Sequence, residues 1–395
     1  MMKLTRNCPI CSQSHGTLLH TMQFGKYDHE YLPELYNLVF CETCGFVFAD
    51  TSAKEKDYDQ YYEKASKYQD DNVSIGGTSL KWDQKRWSET IEIVTRVGIK
   101  TNDTILDIGC AQGGSLVNFK NAGFTNLSGL DLSASCVNKV NQLGFKGYFG
   151  SLQYLEDSSI IGSRFSLVIL SHVLEHILNI NQSINNLNKV LKDDGLVYIE
   201  VPDASRYSDY YSVPFHFYDQ EHINHFTEKS LDFLMQLHGY NLILTGKKEL
   251  QASEQNKVPA FSSIYKKSSK KGINERIKDD ESMKSHLYYI ELSKQNSNWP
   301  LLENLVSTQE EVIIWGAGSY TLRLLANSPL SKLNIIAFID NDEVKQKSKL
   351  NNIEIKPKNY LKNHSQRIII CSAYKTKEIL EEINALEIQN KYDFI

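Results

Sequence analysis

The stretch Thr104-Ile-Leu-Asp-Ile-Gly-Cys-Ala-Gln-Gly-Gly-Ser115 decides the fold of the central part of this 395-residue chain. Its first half is a short apolar run, typical of a buried strand, and it ends in a glycine-rich turn. A helical pattern begins at Ser115. The spacing of Asp107, Gly109 and Gly113 differs from the G-x-G-x-x-G fingerprint of dinucleotide-binding folds. The stretch therefore predicts a strand, a ligand-binding turn and a helix.

Three later signals continue this pattern along the chain. A second strand, 127–130, ends in Asp131, whose carboxylate can accept both hydroxyls of a ribose, as in dinucleotide folds. Gly150-Ser151 follow another turn. The apolar run 165–171 predicts a buried strand, and His172-Val-Leu-Glu-His176 comes directly after it. The order of the four signals predicts an α/β fold built on a doubly wound sheet.

This order of motifs resembles the class I S-adenosylmethionine (SAM) methyltransferases. The resemblance implies SAM as cofactor, with glycines that let the backbone approach its amino-acid part and an acid at the strand end that receives its ammonium group. Ser151 stands near the expected adenine position, where many family members have an acid. The implied cofactor-binding residues are Asp107, Gly109, Gly113, Asp131, Ser151 and His172.

Composition and charge restrict the possible partners. The formal net charge is −5, which argues against a basic nucleic-acid-binding surface. No apolar run approaches the roughly 20 residues that span a membrane, and the N-terminus lacks the apolar segment of a signal peptide. We expect a cytoplasmic protein without nucleic-acid or membrane partners.

Four of the seven cysteines form two C-x-x-C pairs, Cys8 with Cys11 and Cys41 with Cys44. Two such pairs can hold Zn²⁺ tetrahedrally through four thiolates, and a site filled by four protein ligands is structural. Disulfides are the alternative, which a cytosolic compartment disfavours. The gap of 29 residues between the pairs is longer than in most zinc ribbons.

The last hundred residues predict a second, smaller βαβ unit. The apolar run 312–315 is followed by Gly316-Ala-Gly318-Ser319, and a helix pattern begins there. Asp340 follows the next strand, but the third glycine of a dinucleotide fingerprint is missing. We expect no NAD site, and we expect the helix start to bind a diphosphate through its backbone N–H groups.

The complete layout is similar to that of bacterial sugar methyltransferases, typified by C-methyltransferases of nucleotide-linked keto-sugars. These proteins carry an N-terminal zinc module, a central SAM domain and a C-terminal Rossmann-like domain. The pattern along the chain, with a polar stretch rich in serine and lysine over residues 251–285, predicts the following division. Residues 1–50 form the zinc-binding module, 51–250 the methyltransferase domain with a tyrosine-rich lid, 251–299 a linker and helix, and 300–395 a Rossmann-like domain that binds substrate or nucleotide.

Two departures from the family lie on the substrate side. The family's Tyr-x-Glu-His motif is replaced by Phe217-Tyr-Asp-Gln-Glu-His222, in which Glu221 and His222 align and Tyr218 stands one residue too far back. The C-terminal loop Trp315-Gly-Ala-Gly-Ser-Tyr-Thr321 replaces the family's Gly-Tyr-Gly-Ala. These differences favour a different activated sugar as acceptor and slightly favour oxygen over carbon as the methylated atom.

The resemblance implies that His222 is the catalytic base, and histidine accepts protons near neutral pH. Glu221 is predicted to orient this base or to bind substrate hydroxyls, and His225 is the reserve base. The alternative for His222 is a helix-capping or core histidine, and the alternative for Glu221 is a surface carboxylate at a helix start. The predicted substrate-binding residues are Tyr61, Tyr218, Gly316, Gly318 and Ser319.

Two further segments allow two interpretations each. The tyrosines Tyr58, Tyr61, Tyr62 and Tyr68 resemble the family's lid, whereas an amphipathic helix packed on the core is the alternative. His172-x-x-Glu-His176 has the form of a zinc-protease motif. Its place after a strand favours a position of His172 near the methyl group, with a bound metal as the alternative.

The sequence thus predicts SAM-dependent methyl transfer to a nucleotide-linked sugar in a bacterial polysaccharide pathway, such as capsule synthesis. O-methylation of a hydroxyl is slightly favoured, and C-methylation of a keto-sugar is the alternative. An alternative of another class is a non-catalytic binding module with a degenerate SAM site. RNA methylation is disfavoured by the negative charge and the lack of a basic stripe.

Overall fold

Three β-sheets organise the residues that the computed structural model describes, which are 1–28, 31–64, 81–155, 159–160, 162–268 and 278–395. The strands are β1 Met2–Lys3, β2 His15–Gln23, β3 Leu35–Phe40, β4 Val47–Asp50, β5 Thr104–Ile108, β6 Asn126–Asp131, β7 Lys146–Phe149, β8 Phe165–Ser171, β9 Leu191–Pro202, β10 Asn224–His225, β11 Tyr240–Gln251, β12 Lys257–Lys267, β13 Glu311–Trp315, β14 Asn334–Ile339, β15 Lys349–Leu350, β16 Ile353–Lys356, β17 Arg367–Ile370 and β18 Tyr392–Phe394.

Helices connect most of these strands. They are α1 Glu55–Lys64, α2 Lys81–Arg96, α3 Gly114–Asn121, α4 Ala134–Gln142, α5 Ile180–Val190, α6 Glu228–Leu237, α7 Asp280–Gln295, α8 Pro300–Thr308, α9 Ser319–Asn327 and α10 Thr376–Ala385. Among the described residues, none of the helices combines the length and apolar character needed to cross a bilayer.

The central sheet has the strand order β11-β12-β9-β8-β5-β6-β7. Strands β5 to β9 run parallel, and β12 is antiparallel to both of its neighbours. Alternate residues of β5 serve opposite faces, since Ile105 packs in one apolar cluster with α3 and Leu106 in another with α5. Helices cover both faces, and the predicted doubly wound α/β fold is confirmed.

The N-terminal sheet is antiparallel, in the order β1-β2-β3-β4-β10. Its last strand, β10, comes from the chain that follows the central sheet, and its two residues pair with Phe48 and Val47 of β4. The N-terminal module and the methyltransferase region therefore share one sheet. This pairing holds the segment around His222 against the module.

The C-terminal sheet has the order β15-β16-β14-β13-β17-β18, and only β15 runs antiparallel to its neighbour. The central strand β13 pairs on both sides, and its last residue, Trp315, lies opposite Ile339 and Ile370. The C-terminal ends of these parallel strands thus meet beside Gly316. The predicted βαβ unit is confirmed.

One boundary is corrected by the central sheet. Residues 251–299 include β12, which is hydrogen-bonded on both sides and buried over residues 259–265. The serines and lysines near this strand suggested a linker, but Ser262 and Ser263 are buried between two neighbouring strands. Residues 257–267 therefore belong to the methyltransferase fold. Helix α7 lies where a helix was predicted after it.

Candidate active site

The turn between β5 and α3 has the backbone shape that a bound ligand needs. Gly109 and Gly113 have φ of 71° and 82°, and Ala111 between them has φ of 44°. A Cβ atom on Gly109 would lie 2.8 Å from a methyl carbon of Val173. The glycines therefore serve both the left-handed backbone and the close packing of the turn.

Asp131 holds this turn from the end of β6. Its Oδ2 accepts the N–H of Ala111 at 2.8 Å, and its Oδ1 accepts the N–H of Ser133 at 2.8 Å. Burial raises the pKa of Asp131, while these backbone hydrogen bonds act to lower it. A carboxylate oxygen can accept more than one hydrogen bond, so this geometry leaves room for the predicted ribose contact.

Asp107 is the second acid of the cofactor turn. Its side chain is 3% exposed, and its carboxylate accepts a hydrogen bond from the Ser115 hydroxyl. Burial, together with the charge of Asp131, raises its pKa to about 7. An acid at a strand end with such a pKa is a candidate binding residue for a cationic group.

Ser151 and His172 lie at the ends of the neighbouring strands. The Ser151 hydroxyl accepts the N–H of Tyr154 at 3.3 Å and closes a turn. His172 has φ of 55°, a left-handed conformation that costs a non-glycine residue roughly 1–2 kcal/mol. Burial opposes its charge, but Glu175, 2.9 Å from its Nδ1, and Glu200 raise its pKa above the usual value.

A buried charge network beside His172 was missed by the sequence analysis. Glu200 accepts hydrogen bonds from Arg86 Nε, Lys248 Nζ and the Tyr198 hydroxyl, each at 2.7 Å. Burial opposes the charge of Glu200, but the two cations hold its pKa well below the usual range. An acid inside the apolar run 195–202 of β9 was the available signal.

The segment around His222 is held by an aspartate turn. Oδ1 of Asp219 accepts the N–H groups of Glu221 at 2.9 Å and of His222 at 2.7 Å. The ring of His222 lies 4.7 Å from the ring of His176. Burial and the charge of His222 lower the pKa of His176 to about 4, so His176 is a weak base, and His222 stays the predicted proton acceptor.

The tyrosines of α1 contact this segment. Tyr61 donates to Oε1 of Glu221 at 2.8 Å, and Tyr58 donates to the carbonyl of Gln220 at 3.2 Å. The Tyr62 hydroxyl lies 2.8 Å from Nδ1 of His176. The helix therefore forms a wall of the predicted acceptor site, while Tyr68 lies outside the described residues.

Two predicted site residues lie in the core. His225 is 1% exposed on β10, and burial and the charge of His286 lower its pKa well below the usual value. Tyr218 is fully buried, with its hydroxyl 2.6 Å from Nδ1 of His286. Both side chains fill an aromatic cluster, so we correct the reserve-base role of His225 and the substrate-binding role of Tyr218.

The metal alternative takes a different form from the predicted one. Among the described residues, ligand atoms of Glu175, His176 and His222 lie within 4.8 Å of one another. His172 is not part of this group, because it precedes the short helical turn Leu174–His176 and pairs with Glu175.

The four cysteines of the N-terminal module form a compact cluster. All four are free of disulfides, and the Sγ distances are 3.6 Å between Cys8 and Cys44 and 3.4 Å between Cys11 and Cys41. Tetrahedral zinc–thiolate bonds of about 2.3 Å would separate the sulfurs by roughly 3.8 Å. Gly45 has φ of 79° and donates its N–H to the Cys41 carbonyl. The cluster therefore fits a zinc ion.

The glycine turn of the C-terminal unit resembles the cofactor turn. Oδ2 of Asp340 accepts the N–H of Ala317 at 2.9 Å and lies 3.2 Å from Nζ of Lys345. A Cβ on Gly316 would lie 2.4 Å from the Cys371 carbonyl oxygen, so the turn needs glycine there, and the substrate contact of Gly316 stays a prediction. Gly318 and Ser319, in contrast, border a cavity.

This cavity has a volume of about 240 Å³ and is lined by all three parts of the chain. The module contacts the C-terminal unit directly, since the N–H of Gly25 donates to the carbonyl of Leu322 at 2.7 Å. The lining residues are Gly25, Lys26, Tyr27, Tyr31, Leu32 and Glu34 of the module, Tyr61, Asp219, Gln220 and Glu221 of the methyltransferase region, and Gly318, Ser319, Leu322, Val344, Lys345 and Ser348 of the C-terminal unit.

Comparison with known proteins agrees with the central fold. Residues 80–245 match the family model of a methyltransferase domain, and residues 308–392 match a family described as C2185-like, N-terminal. The C-methyltransferase NovU of Streptomyces niveus is 26% identical over 155 residues, which are 38% of this chain and 36% of NovU. The matched stretch thus spans about a third of that relative.

Solved structures of similar fold include a SAM-dependent methyltransferase of Methanosarcina mazei, which is 19% identical with a TM-score of 0.38. The match covers 45% of this chain and 98% of that one. The 1,6-didemethyltoxoflavin-N1-methyltransferase of Burkholderia thailandensis is 14% identical with a TM-score of 0.39, over 57% and 96% of the two chains. The family match thus marks residues 80–245 as similar to a methyltransferase domain, and the parallel strands of the central sheet agree with it.

Proposed function

We propose that this chain transfers a methyl group from SAM to a sugar linked to a nucleoside diphosphate. The observation that carries the proposal is the cavity between the three parts of the chain. It brings Tyr61 and Glu221, which stand beside the predicted base, together with Gly318 and Ser319 at the start of α9. A substrate with a sugar at one end and a diphosphate at the other matches these two ends.

The cofactor would be held by the turn between β5 and α3. The open backbone at Gly109 and Gly113 accommodates its amino-acid part, Asp107 would receive the ammonium group, and Asp131 the ribose hydroxyls. When bound, SAM supplies an electrophilic methyl group. The protein then has to align the acceptor atom and remove its proton.

We assign the proton acceptor role to His222. Its backbone is fixed by Asp219, and its ring lies 4.7 Å from the ring of His176, which is held by Tyr62. Glu221 receives a hydrogen bond from Tyr61 and borders the cavity, where a second hydroxyl of the sugar can bind. Tyr61 is thereby the substrate-side tyrosine of this site.

A hydroxyl is our first choice as acceptor, because the tyrosine of the family motif is displaced to Tyr218 and buried. C-methylation of a keto-sugar is the second candidate, and the similarity to the C-methyltransferase NovU favours it. The two routes differ in the proton that is removed. Only the second route takes a proton from carbon.

The start of α9 and the two lysines of the cavity would receive the diphosphate. The first N–H groups of a helix have no intrahelical acceptor, and the N-cap residue of α9, Gly318, has no side chain that could accept a hydrogen bond from them. Lys26 and Lys345 add positive charge to the cavity wall, although each also has a carboxylate partner. We also propose a structural Zn²⁺ at the four cysteines, which would stabilise the module wall of the cavity.

A panel of nucleotide-linked sugars, incubated with the protein and SAM labelled with a trideuteriomethyl group, tests the proposal. We expect one sugar to gain a single labelled methyl group by mass spectrometry, and NMR then locates it on oxygen or carbon. The keto-sugar route also predicts exchange of a carbon-bound proton with D₂O. A protein that binds S-adenosylhomocysteine (SAH) but methylates none of the sugars would contradict the proposed acceptor and favour the binding-module alternative.

A further inference from the structure

Arg323 is a buried cation without a matching acid. It lies on α9, one turn after Ser319, and is 4% exposed. Its Nη1 donates to the Ser319 hydroxyl at 3.2 Å, while its Nε finds no acceptor among the described residues. Within the described parts of the chain, no carboxylate lies within ion-pair distance of its guanidinium.

This arrangement is costly unless an anion completes it. An arginine side chain stays charged in proteins, and a buried charge without a partner is strongly destabilising. Burial accordingly lowers the pKa of Arg323, and the charge of Asp219 compensates only in part. The aromatic ring of Tyr320, 5.8 Å from the guanidinium carbon, offers a weaker electrostatic contact than an ion pair.

Further buried hydroxyl groups lie in the surrounding part of the fold. Among the described residues the buried Tyr211 hydroxyl has no hydrogen-bond partner, and the buried hydroxyls of Ser212 and Tyr374 lie beside each other. Tyr374 follows β17, whose last residues lie beside the Gly316 turn, and its ring lies 4.4 Å from that of His216. Burial raises the pKa of Tyr374 to about 12, while the contact with Ser212 and the nearby charge of Arg323 act to lower it. Hydroxyl donors thus accompany the cation.

We infer that Arg323 binds phosphate oxygens of the nucleotide part of the substrate, together with the start of α9. The inference rests on the proposed function and adds the group that supplies the buried positive charge. The planar guanidinium can bind two phosphate oxygens at once. Ser319, which bonds to Arg323 and borders the cavity, links this cation to the place expected for the diphosphate.

Calorimetric titrations with UDP, dTDP, GDP, uridine, thymidine and SAH test this assignment. The variants are Arg323→Met, Arg323→Lys and the control Lys362→Met, which removes an exposed charge from the same unit. We expect Arg323→Met to weaken binding of the preferred diphosphate about 10- to 100-fold, the range of a charge-assisted hydrogen bond, and Arg323→Lys to restore part of it. Binding of SAH and of the unphosphorylated nucleoside should not change.

The outcomes separate this inference from the proposed function. If the unmodified protein binds none of the diphosphates, the nucleotide-linked acceptor is wrong, and the inference is wrong with it. If it binds one of them and Arg323→Met binds equally well, only the inference is overturned. Thermal melting accompanies each titration. If Arg323 had only a structural role, its replacement would lower stability and would weaken binding of the nucleoside and of the diphosphate alike. Should Arg323→Met not fold, Arg323→Lys and Arg323→Gln replace it in the test. If both variants bind the diphosphate as tightly as the unmodified protein, the assignment is overturned.

Discussion

Asp107 should make cofactor binding depend on pH. Its carboxyl is 3% exposed, and burial and the charge of Asp131 raise its pKa to about 7, compared with about 3.9 for a free aspartate. Only the ionised form can receive the ammonium group of SAH. With a pKa of about 7, roughly one molecule in eleven is ionised at pH 6 and ten in eleven at pH 8. SAH should therefore bind about tenfold more weakly at pH 6 than at pH 8.

The same shift affects stability without ligand. Because the folded pKa lies above the unfolded value, the folded state holds the proton more tightly, and stability falls as the pH rises from about 4 to about 7. Above this range the ionised group costs up to about 4 kcal/mol. Asp107→Asn should consequently raise the melting temperature of the ligand-free protein at pH 8 while it weakens SAH binding.

Calorimetry with SAH at pH 6, 7 and 8 measures the effect, with thermal melting of the ligand-free protein alongside. Asp107→Asn should lose the part of the pH dependence that Asp107 supplies. Asp131→Asn keeps Asp107 but removes a charge that raises its pKa, so the pH dependence should remain, with its midpoint at a lower pH. Equal SAH affinity at pH 6 and pH 8, or the same dependence in Asp107→Asn, would refute the reasoning.

Three further predictions concern the other sites. Asp131→Ala should weaken SAH binding by about 1.5–3 kcal/mol, the range for a hydrogen bond to a charged group, and unchanged affinity in calorimetry would remove its cofactor role. Elemental analysis should find one zinc per chain. Cys44→Ser should lose the zinc and also nucleotide binding, because the module wall of the cavity depends on the metal. The control Cys371→Ser, at a buried cysteine outside the cluster, should keep both. Finally, His222→Ala should reduce turnover about 10²- to 10⁴-fold with SAH affinity unchanged. His15→Ala, at an exposed position, serves as the control. Near-normal turnover of His222→Ala would contradict its role as base.

Local patterns were sufficient for the parts of the fold that are local in space. The strand, glycine turn and helix around Gly109 occupy consecutive residues, so their spacing alone predicts the turn that Asp131 then holds. The two C-x-x-C pairs are equally local, and their spacing predicts each half of the cysteine cluster. The turn at Gly316 was predicted for the same reason, since a positive φ of 109° requires glycine there.

Burial and partner choice required the tertiary structure. Glu200 obtains its counter-charges from Arg86, 114 positions earlier, and from Lys248, 48 positions later, and no short pattern contains all three. Tyr218 and His225 are of residue types that are common in active sites, but both fill the core. His225 is buried on strand β10, which pairs with the N-terminal module.

The strand β12 shows the same limit. Its polar residues indicate a linker when they are considered alone, and only hydrogen bonds to β9 and β11 make it a strand. Backbone preferences act over a few neighbouring residues, so the sequence by itself determined the turns, the cysteine pairs and the order of the sheets. Contacts between residues far apart in the chain decided which polar groups are buried, which acids meet which cations, and that three parts of the chain enclose one cavity.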